Sequence, residues 1–146
     1  MSRAPIAVVT GASSGIGAAT AQALAGEGFS LILGARRRDR LQQVAKPLGA
    51  RAERLDVTDA ESVAAFCAAI PEVDLLVNNA GAALGLDRIA DTREDLWRQM
   101  YELNVLGVMR MTRALLPKLA ASRRGHVIVI GSTSGFEVYP GGAGYT

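Results

Sequence analysis

Short apolar runs alternate along this chain with longer stretches in which apolar residues return every three or four positions. The runs at 6–9, 30–34, 51–55, 74–78 and 126–130 predict five strands. The near-continuous Val, Ile and Leu content of several of them suits strands covered on both faces. The periodic stretches predict helices over 16–27, 38–48, 60–70 and 93–119. No internal repeat, linker or low-complexity segment interrupts the alternation. A βαβα order with right-handed crossovers implies an α/β fold: a doubly wound parallel sheet between helical layers, three layers in all. Such sheets bind ligands outside the carboxyl ends of their strands, so chemistry is expected just past each strand.

The first strand runs directly into TGASSGIG, positions 10–17, and the helix after it. Gly11, Gly15 and Gly17 allow positive φ and close approach of backbone to a ligand, and a helix start aims free N–H groups and partial positive charge at a phosphate. Ser13 and Ser14 add hydroxyl donors, with Ile16 between the last two glycines. The spacing G-x-x-x-G-x-G is neither the usual dinucleotide fingerprint nor a P-loop, and on its own it also suits a plain strand-to-helix turn.

The residues past the later strands extend the pattern. An NAD enzyme carries an acidic residue about 20 positions beyond its glycines. This chain instead reads Gly34, Ala35, Arg36, Arg37, Arg38. Arg36 and Arg37 offer planar forks that suit a 2′-phosphate and favour NADP over NAD, while Arg38 and Arg40 read as a solvated helix start. After the third strand, Asp56 stands at the tip with Val57 beside it, able to accept from an adenine amino group; Thr58 or Asp59 caps the next helix. After the fourth comes NNAG, where Asn79 tolerates unusual backbone angles and Ala80 and Gly81 leave room for a ribose.

In the long helix, Leu96, Met100, Leu103, Gly107, Met111 and Leu115 form an apolar stripe that also contains Asn104. An amide there needs partners, which neighbouring backbone or a water facing the site could supply. Past the fifth strand, Ser132 precedes Tyr145 by thirteen residues, across a loop rich in Pro and Gly.

TGASSGIG, NNAG, Asn104 and that serine–tyrosine spacing together resemble the short-chain dehydrogenase/reductase family over essentially the whole chain. The GARRRDRL, NNAGAALG and GSTSG stretches are most similar to its NADP-dependent members of the 3-hydroxy acid and serine dehydrogenase type. The resemblance implies a Rossmann fold and hydride transfer between the nicotinamide and a carbonyl or secondary alcohol. Tyr145 would be the acid/base, Ser132 would bind the substrate oxygen and steady its developing charge, and Asn104 would hold a water in the proton path. Tyr139 is the rival phenol, but the family spacing selects Tyr145. A tyrosine ionises near pH 10, so such a base needs a positive charge beside it. The family supplies a lysine four residues after the tyrosine, at a position beyond Thr146. Family members also run about a hundred residues longer, so residues 1–146 are expected to be the N-terminal, NADP-binding part of a single-domain protein. In such a protein the later strands would cover the free edge of the fifth. The resemblance further implies a homo-oligomer, dimer or tetramer, using the long helix.

Composition sets the remaining bounds. The 146 residues are 49% hydrophobic and 21% charged, ordinary for one soluble domain. A net charge of +2 from mixed signs gives no footprint for nucleic acid or an acidic membrane. No metal-ligand spacing stands out, and Cys67, the one cysteine, reads as a buried structural thiol. With neither a spanning run nor a signal-peptide core, a cytoplasmic protein is expected. His126 reads as a hydrogen-bonded structural side chain and Trp97 as a packing or subunit contact. A noncatalytic dinucleotide-binding sensor or scaffold is the alternative function. An S-adenosylmethionine methyltransferase shares the first turn but explains neither the arginines nor the Ser132/Tyr145 spacing.

Overall fold

The computed structural model describes residues 3–146. Five strands, β1 (Ile6–Thr10), β2 (Ser30–Ala35), β3 (Arg51–Arg54), β4 (Leu75–Asn78) and β5 (His126–Val129), form one sheet in the order β3-β2-β1-β4-β5. All four pairings are parallel, and the strand order reverses direction between β1 and β4. That is the switch point at which an open α/β sheet opens a crevice.

Side chains alternate between two cores, as the period of two along a strand requires. Ala7, Val9, Leu31, Leu33, Leu75 and Val77 pack with residues of α1 (Gly15–Gly26) and α2 (Arg38–Ala45). Val8, Ile32 and Leu76 face the other way, onto α3 (Ala60–Ala68) and the long C-terminal helix. Truncating a fully buried leucine such as Leu33 or Leu76 to Ala costs about 2–5 kcal/mol at such sites.

Local chemistry ends the elements where the sequence signals it. Gly28, at φ +81°, turns the chain out of α1. Pro47 and Gly49 come after α2, which gives way to a short turn, Lys46–Leu48, inside the predicted helix. Asp59 caps α3 by accepting from the N–H groups of Glu61 and Ser62. Lys118 reaches across to the carbonyls of Cys67 and Ile70 at the other end of that helix. Cys67 is buried as expected, and desolvation pushes its thiol up to about 11, against a smaller opposing effect of Lys118.

The single helix predicted over 93–119 is in fact three pieces. α4 (Glu94–Tyr101) passes through a π-helical turn, Glu102–Leu106, into α5 (Gly107–Ala121). The Gly107 N–H reaches back to the Glu102 carbonyl, five residues away. Apolar residues three and four positions apart suit a continuous α-helix, so the stripe carries no sign of this wider turn.

At the opposite rim, the buried Asp74 ties the start of β1 to the end of α5. It accepts from Arg3 at 2.7 and 3.1 Å, from the Ile6 N–H at 2.8 Å and from the Ser122 hydroxyl at 2.5 Å. The Arg3 hydrogen bond, helped by Ser122 and Ile6 and opposed by burial, holds the Asp74 carboxyl down at about 2. No helix among the described residues is long and apolar enough to cross a membrane.

Candidate active site

Thr10, the last residue of β1, joins the two turns that flank the switch point. Its hydroxyl accepts from the N–H groups of Asn79 and Ala80, both at 3.0 Å, and donates to the Val77 carbonyl. The Asn79 side chain returns the contact, donating to the carbonyls of Thr10 (2.9 Å) and Gly11 (3.3 Å). Glycine is required beneath this junction. A Cβ on Gly17 would lie 2.6 Å from the Gly11 carbonyl oxygen and nearer still to the Asn79 amide. Gly15, at φ +56°, has open space around it instead, where a ligand could approach the backbone.

Ser14 caps α1 through its backbone alone. It is extended, its side chain makes no cap bond, and the first turn carries no acidic residue. The free N–H groups and the positive end of the helix therefore face the crevice without a competing anion. Arg37 lies across the same place, its Nη2 donating to Ser14 Oγ at 2.7 Å and Ser13 Oγ at 3.2 Å. Two hydroxyls and a guanidinium thus converge beside a helix start, a donor set suited to phosphate oxygens.

These groups line a cavity of about 400 Å³, within the roughly 300–1,000 Å³ of small-molecule clefts. One wall holds Gly11, Ser13, Ser14 and Ile16, the next Arg36 and Arg37, the third Asp56 and Val57, and the fourth Asn79, Ala80 and Gly81. Gly15 and Gly17 shape the turn without lining the space. Burial works to raise the Asp56 carboxyl, but the Thr58 hydroxyl and N–H, with the charges of Arg36 and Arg54, hold it below the usual carboxylate range. Asp56 is therefore an acceptor at neutral pH.

The reaction-side residues fall less uniformly. Tyr145 is half-buried and lines the cavity. Tyr139 does not line it; its ring packs against Gly142, where a Cβ would meet it within 2.7 Å. Ser132 is exposed and caps the short turn Thr133–Gly135, accepting from the Ser134 N–H at 3.2 Å and donating to the Ser134 hydroxyl at 3.0 Å. Its neighbours Ile130 and Gly131 line the cavity. Asn104 sits in the π turn with its amide spent on Ala82: Oδ1 accepts from the Ala82 N–H and Nδ2 donates to the Ala82 carbonyl, both at 2.9 Å. Of the two partners open to it, the side chain takes neighbouring backbone, and its neighbour Leu103 reaches the cavity. The loop bearing Tyr145 is anchored by the bridge of Asp87 with Gly142 and by Gly144 against Trp97 and Met100.

Sequence reasoning missed Thr10 as the junction, because its hydroxyl partners lie some seventy residues away. It also missed the Arg37 contact with both serines, and Ala82 and Leu103 as walls. Only the spacing of the motifs could have hinted at these.

A family model described as short chain dehydrogenase matches residues 5–146. An uncharacterized oxidoreductase of Mycobacterium tuberculosis is 52% identical over 144 residues, which are 99% of this chain and 57% of that protein. The NADP-dependent 3-hydroxy acid dehydrogenase of Schizosaccharomyces pombe is 40% identical over 149 residues, covering 94% of this chain and 58% of its own length. Among solved structures, the closed form of serine dehydrogenase complexed with NADP+ superposes with a TM-score of 0.91 at 36% identity, covering 96% of this chain and 59% of that one. The chain thus spans somewhat over half the length of the relatives it matches.

Proposed function

The chain belongs to the short chain dehydrogenase family, and from that premise we propose that the protein is an NADP-dependent oxidoreductase acting on a carbonyl or secondary alcohol. The observation that carries the cofactor choice is Arg37 bonded to both Ser13 and Ser14 at the α1 start, with Arg36 beside it and no carboxylate at the two cavity-lining positions directly after β2. Those groups would hold a 2′-phosphate; a ribose diol would leave the guanidinium without an anionic partner. The NADP dependence of the fission-yeast relative and the NADP+ complex of the serine dehydrogenase support the same choice.

Bound NADPH would supply the hydride. Asp56 and Val57 would meet the adenine, and Asn79, Ala80 and Gly81 the ribose, at the positions they take along the cavity. Tyr145 would pass the proton to or from the substrate oxygen, since it is the phenol that lines the cavity. Ser132 would release its bond to Ser134 and donate to that oxygen. Asn104, whose side chain fixes Ala82, would serve the proton path through the turn it shapes rather than through its amide. Relatives named for 3-hydroxy acids make a small hydroxy acid the first substrate class to try.

The exposed stripe Trp97, Tyr101, Val105, Met109 and Leu116 along α4, the π turn and α5 would form a subunit contact, giving a homo-oligomer. Residues 1–146 would then be the NADP-binding part of one domain in a soluble, cytoplasmic enzyme.

The test is NADPH oxidation or NADP+ reduction by the whole protein against 3-hydroxy acids, sugars and steroids and their carbonyl forms. Turnover with at least one of them, lost in Tyr145→Phe, is expected. NADPH binding without turnover on any substrate would favour the noncatalytic module instead.

A further inference from the structure

Arg110 lies on α5, just past the π turn, and its side chain is 17% exposed. Its Nη2 donates to Glu102 Oε2 at 2.8 Å, and Nη1 points at the Val57 carbonyl at a longer 3.4 Å. Glu102 opens the π turn and Arg110 stands beyond its close, so this ion pair spans the irregular segment from one side to the other. Val57 is also held by shape. A Cβ on Gly107 would come within 2.8 Å of Val57 Cγ2, so the valine nests on bare backbone at the first residue of α5. The segment after β3 is therefore docked at two points, side chain on Gly107 and carbonyl under Arg110.

That segment is a wall of the cavity. The same π turn sets two others: Leu103 lines the space itself, and Asn104 fixes Ala82. The π turn and the start of α5 thus meet the β4 and β3 loops together. An arginine suits this place because its planar fork reaches a carboxylate and a carbonyl together, whereas a lysine offers a single point charge.

We infer that Arg110 is a positioning residue for the nucleotide, holding Val57 against the start of α5 so that the adenine-side wall keeps its distance from the glycine turn. The inference rests on the proposed nucleotide site. Arg110 itself does not line the cavity. Its effect on binding is carried through Val57, and the adenine half of the ligand feels it.

The test is calorimetric titration of the whole protein with NADPH and, separately, with adenosine 2′,5′-bisphosphate, which has no nicotinamide and reports the adenine side alone. Arg110→Met is expected to raise both dissociation constants about three- to tenfold, the size of one partly screened charged hydrogen bond, with stoichiometry unchanged. Arg110→Lys and Glu102→Gln should each give a smaller rise in the same direction. If Arg110→Met does not fold, those two variants decide the matter. Dissociation constants within twofold of the unaltered protein overturn the inference. So does a lowered stoichiometry at constant affinity, which would mark a residue that matters for folding alone. Unaltered protein that binds neither ligand overturns the nucleotide site itself, and the role of Arg110 with it.

Discussion

β2 and β5 read alike in the sequence, yet they occupy opposite situations. β2 lies between β1 and β3 with all but its first residue buried, and the glycine turn, Arg37 and Asp56 gather at its carboxyl end. β5 lies at the sheet's edge with every residue exposed, and the loop beyond it carries Ser132 and Tyr145. The glycine-turn side is thus interlocked by its own hydrogen bonds: Thr10 to Asn79 and Ala80, Arg37 to Ser13 and Ser14. The side proposed for the reaction depends on loops laid against α4, with Ser132 bonded to its own turn. On the proposed assignment, binding and chemistry therefore rest on different contacts among residues 3–146, and substitutions should separate them.

Tyr145→Phe is expected to have the largest effect. Turnover should fall by about 10²–10⁴, the usual contribution of a positioned proton donor, while the NADPH dissociation constant stays within twofold. Equal loss of both would break the division between the two sides. Arg37→Ala should act the other way, weakening NADPH by about 10- to 100-fold and NADH hardly at all, measured by titration with each. If both nucleotides weaken alike, the arginine does not read the 2′-phosphate.

Gly17→Ala should lower thermal stability by about 1–3 kcal/mol, because the added methyl has backbone of Gly11 and the Asn79 amide in its place. Nucleotide binding should weaken with it, whereas an unchanged melting temperature would mean that this junction is slack. The smallest effect lies at the far rim, remote from both sides. The folded Asp74 carboxyl sits at about 2, below the ordinary value near 3.9. Its contribution is therefore complete above about pH 4 and lost as pH falls toward 2. Since Arg3 is about half exposed, that contribution is on the order of 1 kcal/mol. Asp74→Asn should flatten this part of an acid-unfolding curve and leave nucleotide affinity untouched.

The same contrast explains what could be read from residues alone. The five strands and the glycine turn after the first were legible because burial on both faces leaves continuous apolar runs, and because glycines at fixed spacing serve one geometry. The placement of Tyr145 in the cavity came from its spacing to Ser132 within the family pattern. What stayed hidden depends on partners far apart in the chain: Thr10 as a junction, Arg37 on two serines, and Arg110 over Val57. The break of the long helix was hidden for another reason. A π turn alters hydrogen-bond spacing by one residue, a change that apolar spacings of three and four do not distinguish, and Asn104 within it gave no sign that its amide would close on Ala82.

The most direct test is a crystal structure of the whole protein with NADP+. The 2′-phosphate should lie against Ser13, Ser14 and Arg37, and the hydroxyls of Ser132 and Tyr145 should stand on one side of the nicotinamide, both within hydrogen-bond reach of a single substrate oxygen. A nucleotide bound elsewhere, or those two hydroxyls held on opposite sides of an ordered loop, would contradict the assignment.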